Sequence, residues 1–114
     1  MTQTDNKKYL GTEVVVVMDR QLGSKHPKHG FVYECNYGYL PDTIAADGEE
    51  IDAYVLGVTE PLEKFTGICI AIIHRTNDVE DKLVVVPKGI SLTDEEIRTQ
   101  THFQEQWVES SIVR

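Results

Sequence analysis

Residues 68–86 read ICIAIIHRTNDVEDKLVVV, two apolar runs on either side of a charged centre. The first, Ile68–His74, is apolar on both faces and has the length of a buried strand. RTNDVEDK makes a charged hairpin, and Leu83–Val86 is the returning strand, stopped by Pro87 and Gly89. Outward from this hairpin the same pattern repeats. Glu13–Met18, EVVVVM, is a β-branched run suited to burial on both sides, Phe31–Tyr33 forms a short strand, and Ile51–Gly57, IDAYVLG, alternates as a half-buried strand does. Gly38 and Pro41-Asp42 mark turns, and the first ten residues, polar and unpatterned, read as a frayed end. Five short strands at this spacing predict a small barrel in a mainly β (α+β) fold.

The C-terminal part changes period. Thr93 and Glu96 have the spacing of a capping box, and Leu92 and Ile97 that of a hydrophobic staple, so a helix starts here. Ile97, Phe103, Trp107 and Val108 share one half of the helical wheel, which predicts that this helix packs on the barrel with Trp107 in the core.

Composition bounds the function. With 114 residues the chain fits one domain, residues 1–114, able to bury a core without staples. No apolar run approaches the ~18 residues of a membrane span, and MTQTDNKKYL has no secretory pattern, so cytoplasmic residence is expected. A formal charge of −8 argues against nucleic acid or an anionic membrane as partner. Cys35 and Cys69 are far apart and lack a CxxC neighbour, which predicts buried thiols.

Two acidic segments carry the chemistry. In DGEEID, Asp47, Glu49, Glu50 and Asp52 repel one another unless water screens them or a cation sits between them. NDVED follows at Asn77–Asp81. If the barrel brings the two together, Asp47, Asp52, Asp78, Glu80 and Asp81 offer the hard oxygen ligands that Mg2+ or Mn2+ prefers, with Lys82, Tyr33, Tyr37 and Tyr39 as donors to phosphate oxygens. The loop DRQLGSKHPKHG concentrates Arg20, Lys25, His26, Lys28 and His29, which either face a phosphate or pair with the surplus carboxylates.

NYGY, then DGEEID, then NDVEDKLVVVP, in this order, resemble the soluble family I inorganic pyrophosphatases over roughly Thr12 to Trp107, and GSKHP points to a short subgroup. The resemblance implies a five-stranded OB-like barrel with one flanking helix, magnesium-dependent hydrolysis of inorganic diphosphate to two phosphates, and a homo-oligomer. By position it implies that Asp47 and Asp52 bind metal and that Glu49 stands where an aspartate helps generate the attacking hydroxide. Tyr37 and Tyr33 match active-site tyrosines, Lys25 and Lys82 match phosphate-binding lysines, and Asp78 with Glu80 or Asp81 matches further metal carboxylates. The chain differs from the pattern at Glu49, at Val17 in place of a metal-linked glutamate, and at Trp107-Val108 in place of a tyrosine-lysine pair. Lys28 and His29, with His26 and Arg20, are candidates to replace the lost phosphate donors. Two alternatives stay open: a catalytically impaired domain with a metal- or phosphate-binding or assembly role, and a hydrolase of another small phosphoanhydride.

Overall fold

The β-branched runs form strands, and the strands close on themselves. The computed structural model describes residues 6–45, 48–76 and 80–114. A 3-10 helix, Asn6–Tyr9, leads into β1 (Glu13–Arg20), β2 (Asn36–Leu40), β3 (Ile51–Val55), β4 (Lys64–Arg75) and β5 (Asp81–Val86), followed by α1 (Asp94–Glu105) and β6 (Ser110–Val113). Hydrogen bonding in the order β1-β2-β3-β5-β4, with β4 returning to β1, closes five strands into a barrel, and β6 extends the sheet from β4. β3 and β5 run parallel, and the other pairs are antiparallel. β4 is long enough to pair with β1 through residues 64–68 and with β6 through residues 72–75, while β5 binds along its other edge.

Alternation along the strands separates two cores. Val14, Val16, Leu40, Ile51, Val55, Cys69, Leu83 and Val85, drawn from all five barrel strands, fill the interior. Tyr33, Tyr37, Tyr54, Val84, Ile97 and Phe103 form a second cluster, between the outer face of the barrel and α1. The helix begins as expected: Thr93 caps it, both bonds of the capping box with Glu96 are made, and Leu92 packs against the cluster that contains Ile97. Its buried residues are Ile97, Thr101, Phe103 and Glu105.

Several expectations are corrected. Trp107 is not core: α1 ends at Glu105, and the indole beyond it is 63% exposed. Phe31–Tyr33 makes one isolated bridge, Val32 with Lys25, rather than a strand. Asn36–Leu40, read as turn-bound because of Gly38, is β2. Glycine is needed there for space, since a Cβ on Gly38 would lie 2.0 Å from the Val17 carbonyl oxygen. β6 was not anticipated, and residues 6–9 are a helical turn with Asn6 buried rather than a frayed end. Two strands carry register shifts, β1 between Met18 and Arg20 and β4 between Cys69 and Ala71, where Asp19 and Ile70 are extra residues.

Candidate active site

Register decides which side chains meet on the outer face. Tyr37 lies opposite Tyr54, Asp52 lies opposite Tyr39 and beside Lys82, and facing residues in paired strands share a side of the sheet. Lys82, only 4% exposed, therefore projects into a cluster of oxygens. Its Nζ donates to Tyr37 Oη at 2.7 Å and to Asp52 Oδ2 at 2.7 Å, and it pairs with Glu80 Oε2 at 2.9 Å. The Tyr37 hydroxyl in turn donates to Asp52 Oδ2 at 2.9 Å. A buried ammonium survives because three oxygens replace its water. Burial first, then the charge of and hydrogen bond to Asp52, push the Tyr37 phenol well above its ordinary value, so it stays a donor.

Behind this cluster a second ion pair ties in the helix. Arg75 binds Glu105 through Nε at 3.3 Å and Nη2 at 2.9 Å, and its Nη1 lies 3.6 Å from Glu80 Oε2. Glu105 also accepts from the Tyr54 hydroxyl, to which Gln104 Nε2 donates at 2.8 Å. Burial opposes the charge on Arg75, but the hydrogen bond and charge of Glu105 outweigh it and hold the guanidinium above its usual range. Glu80 is thus held between Lys82 and Arg75, and α1 is fixed to the site by a charged residue on its buried side.

The cluster opens into a cleft of about 410 Å³ whose walls include Tyr33, Tyr37, Glu80, Lys82, His29 and Trp107. An adjoining cleft of about 520 Å³, along the end of β1, is lined by Asp19, Arg20 and Lys25 among others. In the turn between them, His26 Nδ1 accepts from the backbone N–H groups of Lys28 and His29, both at 3.1 Å. Burial against neighbouring rings, then the charges of His29, Arg20 and Lys28, lower His26 below its ordinary value.

The model of the inorganic pyrophosphatase family matches residues 3–112. The chain belongs to that family. An inorganic pyrophosphatase of Methanosarcina mazei is 39% identical over 82 residues, 65% of this chain and 43% of that protein. Its counterpart in Methanosarcina acetivorans is 43% identical over 60 residues, 53% of this chain and 30% of that protein, so the matched region spans less than half of either relative. The crystal structure of an Ehrlichia chaffeensis inorganic pyrophosphatase shares the fold with a TM-score of 0.69 at 19% identity, over 97% of this chain and 88% of that one.

In this pyrophosphatase-family chain the residues singled out from sequence separate into groups. Asp52, Tyr37, Lys82 and Glu80 meet, and Tyr33 and His29 line the same cleft. Lys25 lines the adjoining cleft, and Lys28 is exposed on the turn. Glu49 is exposed, with its backbone oxygen accepting from the Ala45 N–H at 2.6 Å. Asp81 does not join the cluster. As Lys82's neighbour it faces the other side of β5, where it binds Asn6 Nδ2 at 3.0 Å and His74 Nδ1 at 2.7 Å. Asp47 and Asp78 lie outside the described residues.

Sequence alone missed Asp19. Its carboxyl is raised above the ordinary value by burial, then by the charge of Asp52, with Arg20 opposing and Glu50 adding to the rise. Asp19, near the end of β1, thus lies within the field of two carboxylates of the acidic segment. Among the described residues no three acidic, histidine or cysteine side chains converge on one point as a complete metal site. The donors of Asp19, Asp52 and Glu80 are nevertheless hard carboxylate oxygens of the kind a divalent cation such as magnesium or manganese prefers, so the residue chemistry fits one. No helix among the described residues is long and apolar enough to cross a membrane.

Proposed function

We propose that this chain hydrolyses inorganic diphosphate to two phosphates, and the observation that carries the reading is the cluster of Lys82 with Tyr37, Asp52 and Glu80, of which Lys82, Tyr37 and Glu80 line an open cleft. Diphosphate is a polyanion, and a chain of charge −8 needs local cations and neutral donors to accept it. Lys82 supplies a positive charge whose position is fixed by three oxygens, and the protonated Tyr37 phenol, donating to Asp52, holds that carboxylate beside it without adding negative charge. Tyr33 and His29 extend the donor set along the cleft, while Lys25, Lys28 and Arg20 raise the positive potential at its approach.

Asp52 and Glu80, joined by Asp47 and Asp78 and flanked by Asp19, would hold magnesium, with manganese as a substitute. Bound metal would neutralise phosphate charge and make a coordinated water more acidic. Glu49, exposed in the same acidic segment, would be the group to accept a proton from the attacking water. Tyr37 and Lys82 both donate to Asp52 Oδ2, which fixes the orientation of this carboxylate in advance. The same reading makes residues 1–114 one cytoplasmic domain that works as a homo-oligomer.

Phosphate release from magnesium diphosphate by the pure protein tests the proposal, with Asp52→Asn as the control. Activity falls by roughly a hundredfold or more in the variant. Release no faster than that of Asp52→Asn, in magnesium and in manganese alike, sinks the proposal.

A further inference from the structure

The cleft beside Lys82 has a second end that inorganic diphosphate gives no reason for. Trp107, the single tryptophan of the chain, is 63% exposed immediately after α1, yet its ring is held in place. It lies 5.5 Å from Phe31 and 6.4 Å from His29, centroid to centroid, and Phe31 lies 6.1 Å from the buried Phe103. His26 packs at 4.7 Å from His29 and 4.8 Å from Phe31. The result is an aromatic wall anchored in the core and open to the same cleft that Lys82 and Tyr37 line.

Inorganic diphosphate contains no carbon, so the Phe31 and Trp107 rings offer it nothing, whatever the two imidazoles donate. A nucleobase has a π-face that stacks on any of these rings and polar edges that imidazole N–H groups can reach. About 410 Å³ lies within the range of pockets that bury small organic ligands. The cation and phenol at one end and the aromatic rings at the other match the two halves of a nucleoside phosphoanhydride.

We propose that Trp107, with His29 and Phe31, forms a base-stacking subsite that admits nucleoside diphosphates to this cleft, their phosphates directed to Lys82 and Tyr37. Cleavage of such a substrate rests on the hydrolysis proposed above. Water adds to the β-phosphorus, the bond from that phosphorus to the bridging oxygen breaks, and nucleoside monophosphate leaves with the electron pair. One proton passes to solvent.

The test uses ADP and inorganic diphosphate with the full chain and magnesium. Emission of Trp107, excited where adenine does not absorb, is quenched saturably by ADP and much less by diphosphate. Trp107→Ala lowers the ratio of kcat/KM for ADP to that for diphosphate by about tenfold, and Trp107→Phe restores most of it. ADP that neither quenches the indole nor competes with diphosphate overturns the subsite while leaving diphosphate hydrolysis intact, and so does an unchanged ratio in Trp107→Ala. Saturable quenching by ADP with neither anhydride cleaved supports the subsite and overturns the hydrolysis.

Discussion

Lys82 shows how much a single side chain organises here. Its ammonium is the common partner of Asp52, Tyr37 and Glu80, and removing it leaves two carboxylates facing each other. Breaking a buried pair costs ~3–5 kcal/mol, and a discount applies because Asp52 and Glu80 are each 32% exposed in their side chains. Lys82→Met is therefore expected to lower stability by about 2–3 kcal/mol in urea unfolding at neutral pH. A loss below about half a kcal/mol would mean that the three oxygens are satisfied without the lysine. That Lys82, Tyr37, Asp52 and Glu80 belong to one region is legible in the sequence because NYGY, DGEEID and the strand after NDVED arrive in a recognisable order; that Lys82 bonds directly to the other three is not. The choice between Glu80 and Asp81 is not either, since neighbours on a strand face opposite ways and only the register tells which way. Asp19 was hidden for a related reason: its neighbour Asp52 is distant in sequence and reaches it only through the closed sheet.

At the scale of elements, α1 was readable because its start is a local signal. Thr93 Oγ1 accepts from the Glu96 N–H at 3.1 Å, and Glu96 Oε1 accepts from the Thr93 N–H at 2.8 Å, bonds that need no tertiary knowledge. Thr93→Ala is expected to cost about 1 kcal/mol of stability, measured by thermal or urea unfolding. A Thr93→Ser variant should recover most of the loss, and failure to recover it would put the effect elsewhere than in the cap. The end of α1 was misread because Trp107 and Val108 continue the apolar period past the last helical turn. β2 is hard to read in sequence because Gly38 looks like a breaker, whereas the constraint on it is the backbone of β1 pressed against it. β6 carries Ser110 and Ser111 beside Ile112 and Val113, too short and too polar a segment to announce itself.

The whole molecule has two cores divided by one layer of sheet, and each holds one thiol. Cys35 lies in the outer core under α1, and Cys69 lies in the barrel interior. Burial pushes Cys35 up to about 12, helped by Glu34, and Cys69 up to about 11, opposed by backbone hydrogen bonds to its sulfur. At about pH 8 both thiols stay protonated when folded, and either reverts towards ~8.5 only when its core opens. Labelling by Ellman's reagent is expected to be negligible in the folded chain and complete in denaturant. If the cores open separately, the two thiols react with different rates in intermediate urea, and one shared rate means a single cooperative unit.

The extra residue Ile70 in β4 has a consequence for heredity. Beyond it the inside–outside alternation is reversed, so Arg75 falls on the side of Glu80 and Glu105 while His74 meets Asp81. Losing that one codon would set Cys69 and Ala71 side by side opposite Val85 and Val84, so the bulge would go while Arg75 and His74 kept their sides. A codon lost beyond it, between Ala71 and His74, would instead turn the guanidinium towards the barrel and the imidazole towards the cleft, so the strand tolerates a change of length at position 70 better than in the regular stretch that follows.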